Sequence, residues 1–465
     1  MTELYVAKFG GTSVNYPHKI DEIIRGDPRR KVVVVSAPGK FIDSTEYPYD
    51  EKVTDMLIAV AEKRRSNNDQ ERIQDVINSV GLRYSTLFPD FLDVVDYGLE
   101  DLRHRVFSLD ICNVDPDGVE YNQYLDNIKA WGEEWCARLY ARQFSWEYID
   151  AAELLRVTNN FGDAEPFPRS DEIIREKIGI PKNVNVIPGF YGITDDGYRA
   201  TLKRGGSDIT GAVLASALKA DLYENFTDRK GVCAADPRIV DNPETIPIMT
   251  YREMYDLAYS GSEILHPDAV EPVRLKNVPI HIRSTFAYPE EGTRICCYRK
   301  WDISRPITGI AYRNGFYAIN IFQPHMNDTP GIFERVGRVF ADRGIPIEHM
   351  PTGIDDMTVI FRSNSEKING LATEISNELY SIRGETPVIT DQNKLGCLVI
   401  SGESMSLPEF RAVPSDVNST LVSSGIYPEF VIRGSQKRCA IYVIDDADAK
   451  KAINLVYDMF FRYRK

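Results

Sequence analysis

The chain has 465 residues, 43% of them hydrophobic, and a formal net charge of −14, which suits about three domains and argues against nucleic acid as a partner. No apolar run approaches the roughly 18 residues of a membrane span, and no basic segment precedes an apolar stretch at the N-terminus, so neither a membrane nor a secretory signal is expected. Seven scattered cysteines without a CxxC pair predict reduced thiols in a cytoplasmic protein, with no metal site among them.

The first predicted element, at 4–9, is an apolar strand that runs into Lys8-Phe9-Gly10-Gly11-Thr12-Ser13. Consecutive glycines let backbone amides converge on one anion, and a lysine at the strand end adds charge. Such a device can hold phosphates and stabilise charge as they transfer. The plainer reading is a tight Gly-Gly turn beside an exposed lysine. It is not a Walker A loop, because the lysine precedes the glycines.

Further strands are predicted at 32–36, 146–149, 184–188, 222–226 and 280–283, and helices at 53–65, 130–142, 171–178, 208–218, 251–259 and 267–275. The run Val32-Val33-Val34-Val35 suits a strand covered on both faces, as in a parallel sheet. Residues 66–130 read as a largely helical insertion, interrupted by the polar stretch 66–71 and a turn at 115–117. Asp195-Asp196-Gly197 predicts a hairpin turn. It precedes Lys203-Arg204-Gly205-Gly206-Ser207-Asp208, which opens a helix of small and apolar residues. A helix N-terminus binds anions through its unpaired N–H groups, although Ser207 could simply cap this one. After strand 222–226 comes Thr227-Asp228-Arg229-Lys230, a polar turn at a strand's carboxyl end, where open α/β sheets bind ligands. A boundary approaches at 289–292, and 301–306 reads as a linker.

Beyond residue 306 the pattern becomes strand (316–322), helix, strands (345–351 and 357–361), helix and strand (387–390), the ferredoxin-like order βαββαβ. Thr329-Pro330 is predicted as N-cap and first residue of the first helix, whose apolar face is read as Phe333, Val336, Val339 and Phe340. The second helix carries Ile368, Leu371, Ile375 and Leu379. The remaining segment offers only three strands, at 395–401, around 431–432 and at 438–444, with a helix bearing Ile453, Val456, Tyr457 and Phe460. The spare strand at 307–312 would complete it, nesting the first unit within the second; two serial units are the alternative.

Three blocks, Lys8 to Ser13, Arg204 to Asp208, and Thr227-Asp228 with Ala235-Asp236-Pro237-Arg238, closely resemble the aspartate kinases of the amino-acid kinase superfamily. Val33 to Ala37, Gly132-Glu133, Pro188-Gly189-Phe190 and Leu265-His266-Pro267 support the resemblance. It implies an α/β fold: a mainly parallel-sheet kinase domain with helices on both faces over 1–302, then two ferredoxin-like ACT units, at 316–390 and at 307–312 plus 391–465. It implies ATP-dependent phosphorylation of the L-aspartate β-carboxylate to 4-phospho-L-aspartate, the first step of lysine, threonine and methionine biosynthesis. Mg²⁺ would be bound mainly through the nucleotide phosphates. By this resemblance Lys8 would neutralise the transferring phosphoryl group and Asp208 would orient Lys8. Gly10, Gly11, Thr12 and Ser13 would contact phosphates; Thr227, Asp228, Lys230 and Arg238 would contact the nucleotide. Arg204 would clamp the aspartate α-carboxylate, Glu133 (or its neighbour Glu134) would hold the α-amino group, and Ser36, Thr54, Phe190 and Ser207 would complete the acceptor pocket. Cys233 and Glu263 stand where some members carry a tyrosine and a lysine. ACT units imply subunit association, as a homodimer or homotetramer, and a lysine or threonine effector. Met326, Asp328, Gly331 and Ile332 would receive its carboxylate, and Glu348 or Asp355 its amine. The alternative reading is an amino-acid-binding regulatory protein with an inactive kinase domain.

Overall fold

The computed structural model describes residues 3–42, 51–66, 69–111, 114–203, 205–259, 265, 267–300, 304–383 and 386–462. By packing, the chain divides into two units. The first comprises Met1–Val232, Thr245–Tyr255 and Glu263–Arg299; the second comprises Cys233–Glu244, Asp256–Ser262 and Lys300–Lys465.

Ten strands belong to the first unit: β1 (Tyr5–Phe9), β2 (Arg30–Val35), β3 (Glu147–Tyr148), β4 (Asn185–Pro188), β5 (Tyr191–Ile193), β6 (Arg199–Thr201), β7 (Leu222–Thr227), β8 (Ile248–Thr250), β9 (Ile280–Ser284) and β10 (Thr293–Cys296). Eight form one sheet in the order β3-β4-β2-β1-β7-β9-β10-β8. Its pairs are parallel except β9 with β10. Val32 to Val35 have no solvent exposure, as an apolar run covered on both faces requires. The chain runs outward from β1 to β2 and β4 on one side, and β7 and β9 lie on the other. The order therefore reverses at β1, and a crevice at the carboxyl ends of β1 and β7 is the favoured ligand site of such a sheet.

β5 and β6 form a hairpin whose turn contains Gly197 at φ +85°, at the predicted Asp-Gly position. The short edge strand β8 and its neighbour β10 went unread in the sequence. The helix predicted at 130–142 is much longer, Val119–Phe144. It completes the helical insertion with Gln70–Leu87 and Leu92–Phe107. Ile73, Ile77, Tyr84, Leu102 and Trp131 share one buried core with Val33, Val35 and Phe226 of the sheet. The insertion is thus part of this unit's core.

The second unit contains β11 (Gly309–Phe322), β12 (Ile347–His349), β13 (Asp356–Phe361), β14 (Val388–Ser401), β15 (Phe430–Arg433) and β16 (Cys439–Asp445), in the antiparallel order β12-β13-β11-β14-β16-β15. The strands expected separately at 307–312 and 316–322 are one strand, and so are those expected at 387–390 and 395–401. Gly309 to Tyr312 pair with Ser401 to Leu398, the pairing that the missing-strand argument demands. Two four-stranded repeats therefore share their central pair and make six strands in all.

Three expectations are corrected here. The first helix begins at Ile332, preceded by Gly331 at φ +84°; the Thr329 hydroxyl instead donates to the His325 carbonyl at 2.9 Å, closing the 3-10 turn Met326–Asp328. Phe333 is 51% exposed, and Ile332 takes its place on the stripe with Val336, Val339 and Phe340, the i, i+4, i+7, i+8 spacing of one helical face. A further helix, Val413–Ser423, burying Val413, Val417 and Leu421, supplies the repeat's other helix. Segments 233–244 and 256–262, expected within 1–302, pack in the second unit: Ile310 N–H donates to the Ala234 carbonyl, Glu244 N–H to Tyr457 Oη, and Ser401 Oγ and Arg438 to Asp256.

Candidate active site

The site is built at the carboxyl end of β1. Gly10 N–H donates to the Phe226 carbonyl at 3.1 Å, so the chain leaves the sheet just as the ladder with β7 ends. Gly11 then lies against Gly39, whose N–H donates to the Gly11 carbonyl at 2.8 Å. A Cβ on Gly39 would stand 2.7 Å from the Gly11 carbonyl carbon, so only glycine permits this approach. The loop after β2 is clamped from outside. Asn15 Nδ2 donates to the Gly39 and Lys40 carbonyls at 3.0 Å, and Arg83 of the helical insertion donates to Gly39 at 2.9 Å.

Lys8, 7% exposed, lies between Val34 and Asn225 in the sheet. Its Nζ is 2.6 Å from Asp208 Oδ1, which also accepts a 2.8 Å bond from Asn225 Nδ2. Asp208 occupies the first turn of the helix Gly206–Ala217, entered through Gly205 at φ +84°. Gly189 and Gly206 let this turn pack tightly: a Cβ on either would fall 2.7 Å from Ser207 or from the Phe190 ring. Phe190 itself has φ +77°, costly for a bulky side chain and the kind of local strain that collects at functional sites. Its backbone is held by Thr210 Oγ1 at 3.1 Å and by Leu202 N–H at 2.7 Å.

Glu133 and Glu134 have different surroundings. Glu134 is buried in ion pairs with Arg105 (2.8 Å), Arg138 (3.0 Å) and Arg199 (3.1 Å). Glu133 faces the cavity, 4% exposed, with Oε2 making no hydrogen bond. Burial pushes its carboxyl up to about 8, opposed more weakly by the Ala37 backbone and by Lys129, whose ammonium is 2.6 Å from Asp126.

A cavity of about 310 Å³ collects these groups. Lys8, Gly10, Gly11 and Thr12 line one wall and Gly205, Gly206, Ser207 and Asp208 another; Ser36, Ala37, Pro38, Gly39, Lys52, Thr54, Glu133 and Phe190 complete it. Ser13 is not in the lining: it is fully buried, its hydroxyl 2.7 Å from Thr285 Oγ1. Thr227, the last residue of β7, and Asp228 and Lys230 just after it lie outside the lining too. There Thr227 Oγ1 donates to Asp228 at 2.9 Å and Lys230 pairs with Glu290 at 3.2 Å. Arg238 belongs to the second unit, its guanidinium on Asp236 at 2.7 Å. Arg204, Glu263 and His266 lie outside the described residues. Lys52 and Gly39 were missed in the sequence. The Lys52-Val53-Thr54-Asp55 segment was the available signal for the lysine, whereas nothing local marked Gly39 as the partner of Gly11. Among the described residues no group of three His, Cys, Asp or Glu side chains could hold a metal ion, and no helix is long and apolar enough to cross a membrane.

Of the residues expected to meet an effector, Met326 and Ile332 are buried in the core of the second unit, so only their backbone can serve. Asp328 is exposed and 3.9 Å from His325. Glu348 is engaged by the Tyr259 hydroxyl and lies 3.9 Å from Arg313, and Asp355 Oδ1 accepts the His325 N–H at 2.8 Å. Just ahead of this loop Gln323, fully buried, has neither side-chain polar atom hydrogen-bonded. Sequence reasoning missed it, because a single Gln after an apolar strand carries no pattern.

Residues 3–284 match the model of the amino acid kinase family. Aspartokinase 3 of Bacillus subtilis (strain 168) is 33% identical, with 98% of each chain covered. The crystal structure of Clostridium acetobutylicum aspartate kinase superposes with a TM-score of 0.77 at 28% identity, covering 98% of this chain and 100% of that one. E. coli aspartokinase III, solved with aspartate and ADP, shares the fold with a TM-score of 0.75 at 20% identity, covering 99% of this chain and 100% of its own. The kinase blocks, the cavity they build and these likenesses agree, and the chain belongs to the amino acid kinase family, among its aspartokinases.

Proposed function

We propose that this chain transfers the γ-phosphoryl group of ATP to the β-carboxylate of L-aspartate, giving 4-phospho-L-aspartate and ADP, the step that opens lysine, threonine and methionine synthesis. The observation that carries this reading is the cavity where Lys8, the first turn of helix Gly206–Ala217 and Glu133, with its Oε2 unbonded, converge. A carboxylate nucleophile is already ionised at pH 7, so the reaction needs positioning and charge stabilisation more than a strong base. Lys8, fixed by Asp208, is placed to meet negative charge on the transferring group, and the Gly10, Gly11 and Thr12 segment offers neutral donors beside it. Glu133 receives the α-amino group and Arg204 the α-carboxylate, while Ser36, Thr54, Phe190 and Ser207 shape the acceptor side. Thr227, Asp228 and Lys230 are assigned to the nucleotide. Mg²⁺ prefers oxygen ligands and keeps its waters, so it enters on the nucleotide phosphates and offsets their charge.

In this reading residues 1–302, apart from the segments 233–244 and 256–262 that pack in the second unit, are the kinase domain, and 316–390 and 307–312 plus 391–465 are ACT units. They associate chains into a homodimer or homotetramer and bind lysine or threonine. The protein works in the cytoplasm. A coupled assay with aspartate and ATP, with and without lysine and threonine, tests the reading; absence of ADP formation with aspartate, against a panel of other acceptors, overturns it.

A further inference from the structure

Lys52 lines the cavity, yet the reading above gives it no role. The described charges around it nearly cancel. Lys8 is paired with Asp208 at 2.6 Å, and the Glu133 carboxyl, pushed up to about 8 by burial, is mostly neutral at pH 7. Lys52 therefore supplies the net positive charge of the described lining. Its ammonium has no ion pair or hydrogen bond with a described residue. ATP is a polyanion and aspartate carries two carboxylates against one ammonium, so an unpaired cation on the exposed side of the wall matters more to binding than the neutralised pair does.

The place of Lys52 is also unfavourable for folding. It immediately precedes the helix Val53–Ser66, and its carbonyl accepts the first intrahelical bond, from Met56 N–H at 3.1 Å. Val53 N–H donates to Pro38 at 3.0 Å, which ties this helix end to the Ser36–Gly39 wall of the cavity. Positions of this kind favour Ser, Thr, Asp or Asn, and a cation here opposes the helix dipole. A residue that breaks a local rule without an internal partner is best explained by what it binds.

We propose that Lys52 is a substrate-contacting residue on the acceptor side, beside Thr54, where its ammonium holds a carboxylate of aspartate against the positive end of helix Val53–Ser66. This assignment rests on the aspartate kinase reading. The test compares wild type with Lys52→Gln and Lys52→Arg by steady-state kinetics, calorimetry with aspartate alone, and thermal melting. Lys52→Gln is expected to raise the aspartate KM about tenfold or more, as loss of a charged contact does, and to weaken aspartate binding equally. The ATP KM should stay within twofold. Lys52→Arg should recover most of the affinity, and the Tm of Lys52→Gln should be unchanged or higher because the clash with the dipole is gone. An aspartate KM within twofold of wild type, an effect confined to ATP, or a Tm loss that Lys52→Arg does not repair overturns the assignment of Lys52 alone. Failure of wild type to turn over aspartate overturns the kinase reading and this assignment with it.

Discussion

Removing the Glu133 charge by Glu133→Gln should change how aspartate affinity depends on pH. The carboxyl lies in a buried wall with Oε2 unbonded, and burial raises it from 4.5 to about 8. An ammonium can pair only with the ionised form, which amounts to about a tenth of the free protein at pH 7 and about a hundredth at pH 6. The aspartate KM at saturating ATP should therefore fall about tenfold from pH 6 to 7 and about fivefold more by pH 8. The glutamine variant should bind aspartate more weakly at pH 8 and show a nearly flat profile. Stability moves oppositely. A carboxyl raised in the folded state contributes stability below pH 4.5 that is lost as pH rises through about 8. Between those limits wild type should lose on the order of several kcal/mol relative to Glu133→Gln. Melting curves and KM values over pH 6–9 on both proteins check this. A flat wild-type KM, or a glutamine variant with the same slope, would refute the assignment of Glu133.

Lys8→Ala should lower kcat about a hundredfold, roughly 3 kcal/mol of lost charge stabilisation, with little change in aspartate binding by calorimetry. Gly39→Ala forces a Cβ to 2.7 Å from Gly11 and 2.9 Å from the Thr12 nitrogen. It should cut kcat/KM roughly tenfold to a hundredfold through misplacement of the phosphate loop, and normal kinetics would show that the approach is not needed. In the second unit Gln323→Leu should raise stability by about 1–3 kcal/mol, because a buried amide without partners is removed. Urea melts of both proteins check this, and an unchanged or lowered stability would show that the amide is satisfied.

The parallel sheet was legible because its strands are apolar runs such as Val32 to Val35, and the site because its glycines, lysine and helix start are contiguous in sequence. Edge strand β8 and its neighbour β10 are short, and Thr293-Arg294-Ile295-Cys296 has no strong period to read. The helix Val413–Ser423 hides behind Pro414 and a run of Ser, Asp and Asn, although Val413, Val417 and Leu421 keep its spacing. Phe333 misled because its hydrophobicity fits a core, and only the true start of the helix after Gly331 turns it outward. Gly39 and Gln323 matter through long-range contact or through its absence, which no local pattern carries.

The strands β11 and β14, each 14 residues and about 45 Å long, run through both repeats of the second unit. Their register breaks twice, between Arg313 and Phe316 and again between Phe316 and Ala318. In the first break β11 carries the extra residue, with Gly315 at φ +81°; in the second β14 does, with Lys394 at φ +60°. The two bulges cancel, so the same faces point inward on both sides of the joint. Each bulge holds one residue that its partner strand does not match, so deleting the residue at either bulge would leave Phe316 opposite Leu395 and Ala318 opposite Gln392 with the same faces inward. Away from the joint side chains alternate with a period of two, and a deletion there would turn the rest of the strand to the other face. The joint between the repeats is therefore the place where these long strands tolerate a change of length.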